Sequence, residues 1–249
     1  MRRQVVLTVS ESKRLIAKGV AAMPSVKRAL ESGMVVIATG STNSYVVEEL
    51  LGKQIDKTAY RSGLTLPMRP QTLVNFTSAV MPDIVLRNGE IVEDLDRFNA
   101  PAEMKAGDVY LKGCNALNYQ QKLAGILIGS ESAGTIGATI GQIVGRRIQL
   151  IVPVGLEKEI GADVLQVARL LAEACEYATP TPRMMPVWGE IITEIEAIDI
   201  LTGLRATHIG SGGVGGAEGA IWLLLDGDPS QIDAVAELID SIQGEPPWI

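Results

Sequence analysis

One histidine and two cysteines in 249 residues leave little for metal or thiol chemistry. His208 stands alone, and Cys114 and Cys175 share no short spacing, so the usual His/Cys zinc arrangements are excluded and no metal is expected. The pair forms no disulfide framework, which points to a reducing, cytoplasmic setting. Aromatic side chains make up only 4% of the chain, so a core must be assembled from Val, Ile, Leu and Ala. Basic charge is also short: 22 Lys and Arg against 29 Asp and Glu give a formal net charge of −7. Nucleic-acid binding needs clustered cations, so that class of partner is not expected. Arg61 with Arg69 and Arg146 with Arg147 are the visible local basic pairs, and they read as solvated surface charge. Met1-Arg2-Arg3-Gln4 leads into a short apolar run and then a charged helix, which is not a secretory signal. Residues 123–145 are nearly uncharged, but their glycines, serines and Glu131 divide them into strand, turn and helix, so no membrane span is expected.

What is present is a run of short apolar strands alternating with helices. Helices are expected over residues 10–23 and 25–32, separated by Pro24 and closed by Gly33. Residues 34–38 form a continuous apolar run, the mark of a strand buried on both faces, and a helix follows over 42–51. Asn88-Gly89 between the runs 83–86 and 91–92 predicts a hairpin. Further buried strands are read at 109–111, 126–128 and 148–154, with helices at 136–144 and 162–177. Gly137, Gly141 and Gly145, four apart, suggest close packing against another backbone. The alternation predicts an α/β fold with a mostly parallel sheet and helices on both faces, spanning residues 1–178. The Pro-rich stretch 179–186 then marks a change to a small α+β lobe over 179–249, ending in a helix capped by Asp228.

In parallel sheets the site lies beyond the carboxyl ends of the strands. Four turns occupy such positions: 40–44, 112–118, 129–135 and 155–158. Gly40, Ser41, Thr42 and Asn43 open a helix, whose free N–H groups and dipole favour a phosphate or carboxylate; alternatively, Ser41 or Thr42 caps the helix. Glu131 sits in a hydroxyl-rich turn where burial would raise its pKa and suit it to act as base or nucleophile. Lys112 and Lys158 are placed to hold an anion or stabilise an oxyanion, with Gly113, Asn115, Gly134 and Thr135 lining the same turns. Gly210-Ser211-Gly212-Gly213-Val214-Gly215 fits G-x-G-x-x-G, but a strand follows at Ala220 where a helix is required, so no nucleotide cofactor is expected there. His208, just before it, reads as structural.

Residues 13–51 closely resemble the N-terminal region of ribose-5-phosphate isomerases: a helix, a Gly33-Met34-Val35-Val36 strand, a Gly40-Ser41-Thr42 turn, and a helix with Glu48-Glu49-Leu50. That superfamily also holds glucosamine-6-phosphate deaminases, class I CoA transferases and sugar-sensing domains of regulators. The resemblance implies a Rossmann-like sheet with residues 40–43 around a phosphate. Where the isomerases carry acidic side chains, the turn at 112–118 has none. Ser130-Glu131-Ser132-Ala133-Gly134 is similar to the turn that carries the nucleophilic glutamate of CoA transferases.

The expected ligand is therefore a small phosphorylated or acidic metabolite, bound without a cofactor by a homo-oligomer. The expected chemistry is isomerase-type proton transfer with Glu131 as base. The alternatives are acyl-CoA transfer through a Glu131 anhydride, and a non-catalytic metabolite sensor.

Overall fold

The computed structural model describes residues 1–62 and 80–248. After strand β1 (Arg2–Leu7), helix α1 (Val9–Ala22) starts at a capping box: Thr8 Oγ1 accepts the Glu11 N–H, and Glu11 Oε2 accepts the Thr8 N–H at 2.8 Å. Pro24 sits in the first turn of α2 (Pro24–Ser32), where its missing N–H costs nothing. Gly33 then permits a close approach, since a Cβ there would lie 2.6 Å from Asp108 Oδ1. That oxygen accepts the Met34 N–H at 2.9 Å and sets the start of β2 (Met34–Ile37).

Helix α3 (Ser41–Leu51) follows, then the hairpin β3 (Ile84–Arg87) and β4 (Glu90–Ile91). Asn88 and Gly89 turn it with φ of 50° and 82°, the positive pair expected of an Asn-Gly hairpin. Next come β5 (Val109–Leu111), β6 (Ala116–Asn118), β7 (Leu123–Ile128), α4 (Gly134–Gly145) and β8 (Gln149–Pro153). The remainder is α5 (Val164–Ala172), β9 (Arg183–Val187), β10 (Glu190–Ile192), α6 (Glu194–Thr202), β11 (Thr207–Ser211), β12 (Ile221–Asp226) and α7 (Pro229–Asp240).

The fold is mixed α/β. Among the described residues its main sheet has six strands in the order β10-β8-β5-β2-β3-β4. The first four are parallel; β3 runs antiparallel to them, and β4, antiparallel to β3, closes the edge as the second strand of a hairpin. Along β2 the side chains alternate between two apolar clusters, with Met34 and Val36 in one and Val35 and Ile37 in the other. Ile16, Val20, Val26 and Val46 from α1, α2 and α3 fill the second cluster, and α4 and α6 contribute Ile136 and Ile195 to the first. This double burial explains why β2 reads as an unbroken apolar run.

One expected parallel strand lies elsewhere. β7, which contains residues 126–128, pairs antiparallel with β6 and β9 in a separate three-stranded sheet. The short link from Asn118 to Leu123 permits only a hairpin, whereas a parallel return needs a crossover of about a dozen residues or more. The place beside β8 is taken by β10. A third sheet, β1-β12-β11, is antiparallel. Strands from either side of residue 178 pair in each of the three sheets: β8 with β10, β7 with β9, and β1 with β12.

The stripe of glycines on α4 does not pack as a stripe. A Cβ at Gly137 would meet Ala133, within the turn that starts the helix, while Gly141 and Gly145 face open space. The close helix approach occurs instead at Gly19 of α1, where a Cβ would lie 2.6 Å from the Ala197 Cβ of α6. Among the described residues no helix is long and apolar enough to cross a membrane.

Candidate functional site

The four parallel strands end together, and the residues immediately after them build a polar cluster. Beyond β2, Gly40 precedes α3 in an extended conformation and gives its own N–H to the Tyr60 carbonyl at 3.1 Å. No side chain caps α3, and the N–H groups of Ser41, Thr42 and Asn43 donate to no described residue. The capping role open to Ser41 or Thr42 is thus not used. Asn43 is buried and donates its amide to the carbonyls of Ala38, at 2.7 Å, and Leu111, at 3.2 Å, tying the ends of β2 and β5 together. Its Oδ1 and the Thr42 hydroxyl are buried without partners among the described residues. No described residue approaches within 4 Å of the position a Gly40 Cβ would take.

Lys112 follows β5 and donates to the Gly113 carbonyl at 3.1 Å. Burial, with further pressure from Lys158 and Arg97, lowers its pKa to about 8. Arg97 is held at the rim by Asp83, through contacts of 2.8 and 2.9 Å, and by the Thr39 hydroxyl at 3.2 Å. Beyond β8, the single turn Leu156–Lys158 brings Lys158 back over β5, where its ammonium donates to the Cys114 carbonyl at 3.1 Å. In the same turn Glu157 folds over Gly155, and its buried Oε2 has no partner.

Beyond β10, Thr193 and Glu196 form the capping box of α6, which fixes Glu194 in the first turn. Glu194 is sealed from solvent and accepts the Leu156 N–H at 3.0 and 3.3 Å. Burial, then the charge of Glu157, raise its pKa to about 8. Lys13 completes the cluster from α1. Burial first, then Lys158, lower its pKa to about 8, against a smaller upward pull from Glu157.

Lys13, Lys112 and Lys158 make no ion pair within 4 Å among the described residues, whereas Arg14, one α1 position from Lys13, contacts both Glu48 and Glu49. Buried cations normally find such partners, because leaving one unpaired costs several kcal/mol (~3–5 when a partner is removed). The cluster therefore holds three lysines with no carboxylate in contact, beside unused N–H groups and two oxygens without a described partner. It also holds three groups whose proton affinities lie near neutrality, which suits it to anion binding and to proton transfer.

The structure brings together Gly40, Ser41, Thr42, Asn43, Lys112, Gly113 and Lys158 from the residues selected by sequence. It does not connect Glu131, Gly134, Thr135 or Asn115 to them. Glu131 lies exposed in the turn after β7, with no side-chain hydrogen bond or ion pair to a described residue. Gly134 and Thr135 begin α4, where the Thr135 carbonyl accepts the Thr139 hydroxyl at 2.9 Å. Asn115 is exposed and accepts the Leu127 N–H at 3.0 Å, a structural tie to β7. Sequence reasoning passed over Lys13, Glu157 and Glu194. The capping pair Thr193 and Glu196 directly after Ile191-Ile192 was a usable signal for Glu194, since it marks a strand end running into a helix start.

Among the described residues no group of three or more His, Cys, Asp and Glu side chains is placed to hold a metal ion. No family model, no curated protein and no solved structure matches the chain.

Proposed function

We propose that the carboxyl edge of the main sheet binds a small phosphorylated or acidic metabolite and moves a proton on it. The observation that carries this reading is the placement of Lys13 and Lys112 beside Lys158 with no ion-pair partner among the described residues, next to a helix N-terminus that no described side chain caps. In this reading the N–H groups of residues 41–43 and the Lys158 ammonium hold the anion. Lys112 stabilises the oxyanion that develops when a proton leaves the adjacent carbon, and Glu194 or Lys112, each poised near neutrality, takes or returns that proton. The arrangement fits a Rossmann-like sheet of the ribose-5-phosphate isomerase and CoA transferase superfamily, with the base relocated from the 112–118 turn to the start of α6. Two free cysteines, neither in a disulfide, suit a cytoplasmic setting.

The test is a melting-point screen with inorganic phosphate, ribose 5-phosphate and acyl-CoA, followed by solvent-deuterium exchange into each binder. A ligand at 100 times its Kd adds about 2.7 kcal/mol to stability. An unchanged melting point with every saturating phosphate ester and acidic metabolite overturns the reading. Binding without deuterium exchange leaves the site as a sensor and removes the proton-transfer step.

A further inference from the structure

Outside the lysine cluster, the only histidine of the chain is engaged at both ring nitrogens. His208 Nε2 lies 2.9 Å from the Ser211 hydroxyl oxygen, and Nδ1 lies 3.4 Å from Glu159 Oε2. Three chain positions, 159, 208 and 211, thus form a hydroxyl–imidazole–carboxylate line. We propose that Ser211, His208 and Glu159 form a nucleophilic centre that cleaves esters of small carboxylic acids. This goes beyond the proton transfer assigned to the lysine cluster and uses none of its lysines.

The backbone explains how the line arises. In a regular strand, residues three apart point to opposite faces. β11 has a bulge between His208 and Gly210, and the extra residue brings positions 208 and 211 to the same face. Their cross-strand partners on β12 are Leu223 and Ile221, two residues apart and both fully buried, which confirms the shared face. Bulges of this kind re-aim side chains beside active sites. Glu159 arrives from the turn beyond β8, so the third member comes from a different sheet.

The centre also borders open space. A surface cleft of about 370 Å³ is lined by Leu156, Glu157, Glu159, His208, Ser211 and Gly212, and a second of about 300 Å³ shares Glu159 and His208. A space of this size takes a small acyl group and its leaving alcohol. The glycine-rich loop after Ser211 supplies backbone donors. Gly212 gives its N–H to the Ala220 carbonyl at 2.7 Å, and Gly215 and Gly216 give theirs to Glu218, but the N–H groups of Gly213 and Val214 donate to no described residue.

The chemistry balances with water as the only co-reactant. The Glu159 carboxylate, 3.4 Å from Nδ1, favours the tautomer with the proton on that nitrogen, leaving Nε2 to accept the Ser211 proton as Oγ adds to the ester carbonyl carbon. The carbon–oxygen bond to the alcohol then breaks, and the imidazolium returns its proton to the departing oxygen. Water, deprotonated by His208, adds to the acyl-serine, and cleavage of the Ser211 ester releases the acid and restores the hydroxyl.

The experiment uses the full chain, a fluorophosphonate probe with peptide mapping by mass spectrometry, and release of 4-nitrophenol from 4-nitrophenyl acetate. Labelling is expected at Ser211 and is lost in Ser211→Ala. His208→Gln slows both labelling and acetate hydrolysis by 100-fold or more, in line with loss of a general base. Glu159→Gln slows them and Glu159→Asp recovers part of the rate, with circular dichroism and melting point held near those of the parent. Ser211→Cys keeps a nucleophile at the same place and is alkylated by iodoacetamide faster than Cys175, which rules on the site even if the alanine variant folds poorly. Labelling spread over other serines, or hydrolysis unaffected by His208→Gln, overturns the proposal. The phosphate-induced melting shift of Ser211→Ala is expected to equal that of the parent, so failure here and failure of the anion reading are separate results.

Discussion

Glu194, sealed from solvent in the first turn of α6, receives the Leu156 N–H at both carboxyl oxygens and so fastens α6 to the turn that carries Glu157 and Lys158. A carboxyl in this position prefers to keep its proton, and its pKa rises from the ordinary 4.5 to about 8. The folded state then binds more protons than the unfolded state between those values, so stability falls as pH rises from about 4.5 to 8. Lys13 and Lys112 act in the opposite sense. Their pKa values drop from 10.5 to about 8, the unfolded chain binds more protons between 8 and 10.5, and stability rises across that interval. Without ligand, urea unfolding across this range is expected to show a minimum of stability near pH 8. Glu194→Gln flattens the limb below 8, and a monotonic profile in the parent protein argues against the placement of these three groups.

Lys112 separates a binding role from a structural one. A buried ammonium without an anionic contact destabilises the empty protein, so Lys112→Met is expected to raise stability at pH 7 by roughly 1–3 kcal/mol. The same change removes a charge facing the bound anion, and phosphate affinity is expected to fall at least tenfold, about 1.4 kcal/mol. A structural lysine would lose stability on truncation without a matching loss of binding. Chemical denaturation and phosphate titration on the same preparation distinguish the two outcomes.

The parts of the site legible in sequence are those written in local pattern. Residues 34–43 carry a strand, a small-residue turn and a helix start in ten positions, and Asn88-Gly89 specifies its hairpin without help from the rest of the fold. β7 was not legible as an antiparallel strand, because a short apolar run looks alike in either kind of sheet; the brief connection to β6 held the information. β10 has only three residues, so its acidic flanks hid its place in the sheet, and Glu194 was hidden with it. Lys13 comes to the site on α1, which lies close against α6 at Gly19, a tertiary condition that no periodicity reports. The pairing of His208 with Ser211 depends on a bulge that reverses the ordinary strand alternation.

The approach of α1 to α6 can be tested directly. A Cβ added at Gly19 would lie 2.6 Å from the Ala197 Cβ and 2.7 Å from its Cα, and backbone cannot swing away as a side-chain end can. Gly19→Ala is expected to cost about 1–3 kcal/mol of overpacking, offset in part by up to about 1 kcal/mol of helix propensity. Gly141→Ala, in the open middle of α4, has the propensity gain and no clash, so it is expected to stabilise by roughly 0.5–1 kcal/mol. Thermal or urea unfolding of the two variants should give shifts of opposite sign.

Gly155 offers a way to move one carboxylate without touching it. Its φ of −77° suits any residue, so alanine brings no backbone strain, yet the new Cβ would fall 1.8 Å from Glu157 Oε2. A side-chain end yields more readily than backbone, so Gly155→Ala is expected to cost less than about 1 kcal/mol while displacing the Glu157 carboxylate. Displacement takes a negative charge away from Glu194 and from the anion site. The pH of minimum stability should then move down and phosphate should bind more tightly. Glu157→Gln, which removes the charge in place, should shift both quantities in the same direction. If Gly155→Ala matches the parent protein in both while Glu157→Gln does not, Glu157 does not lie over Gly155 in solution, and the turn beyond β8 must be arranged differently.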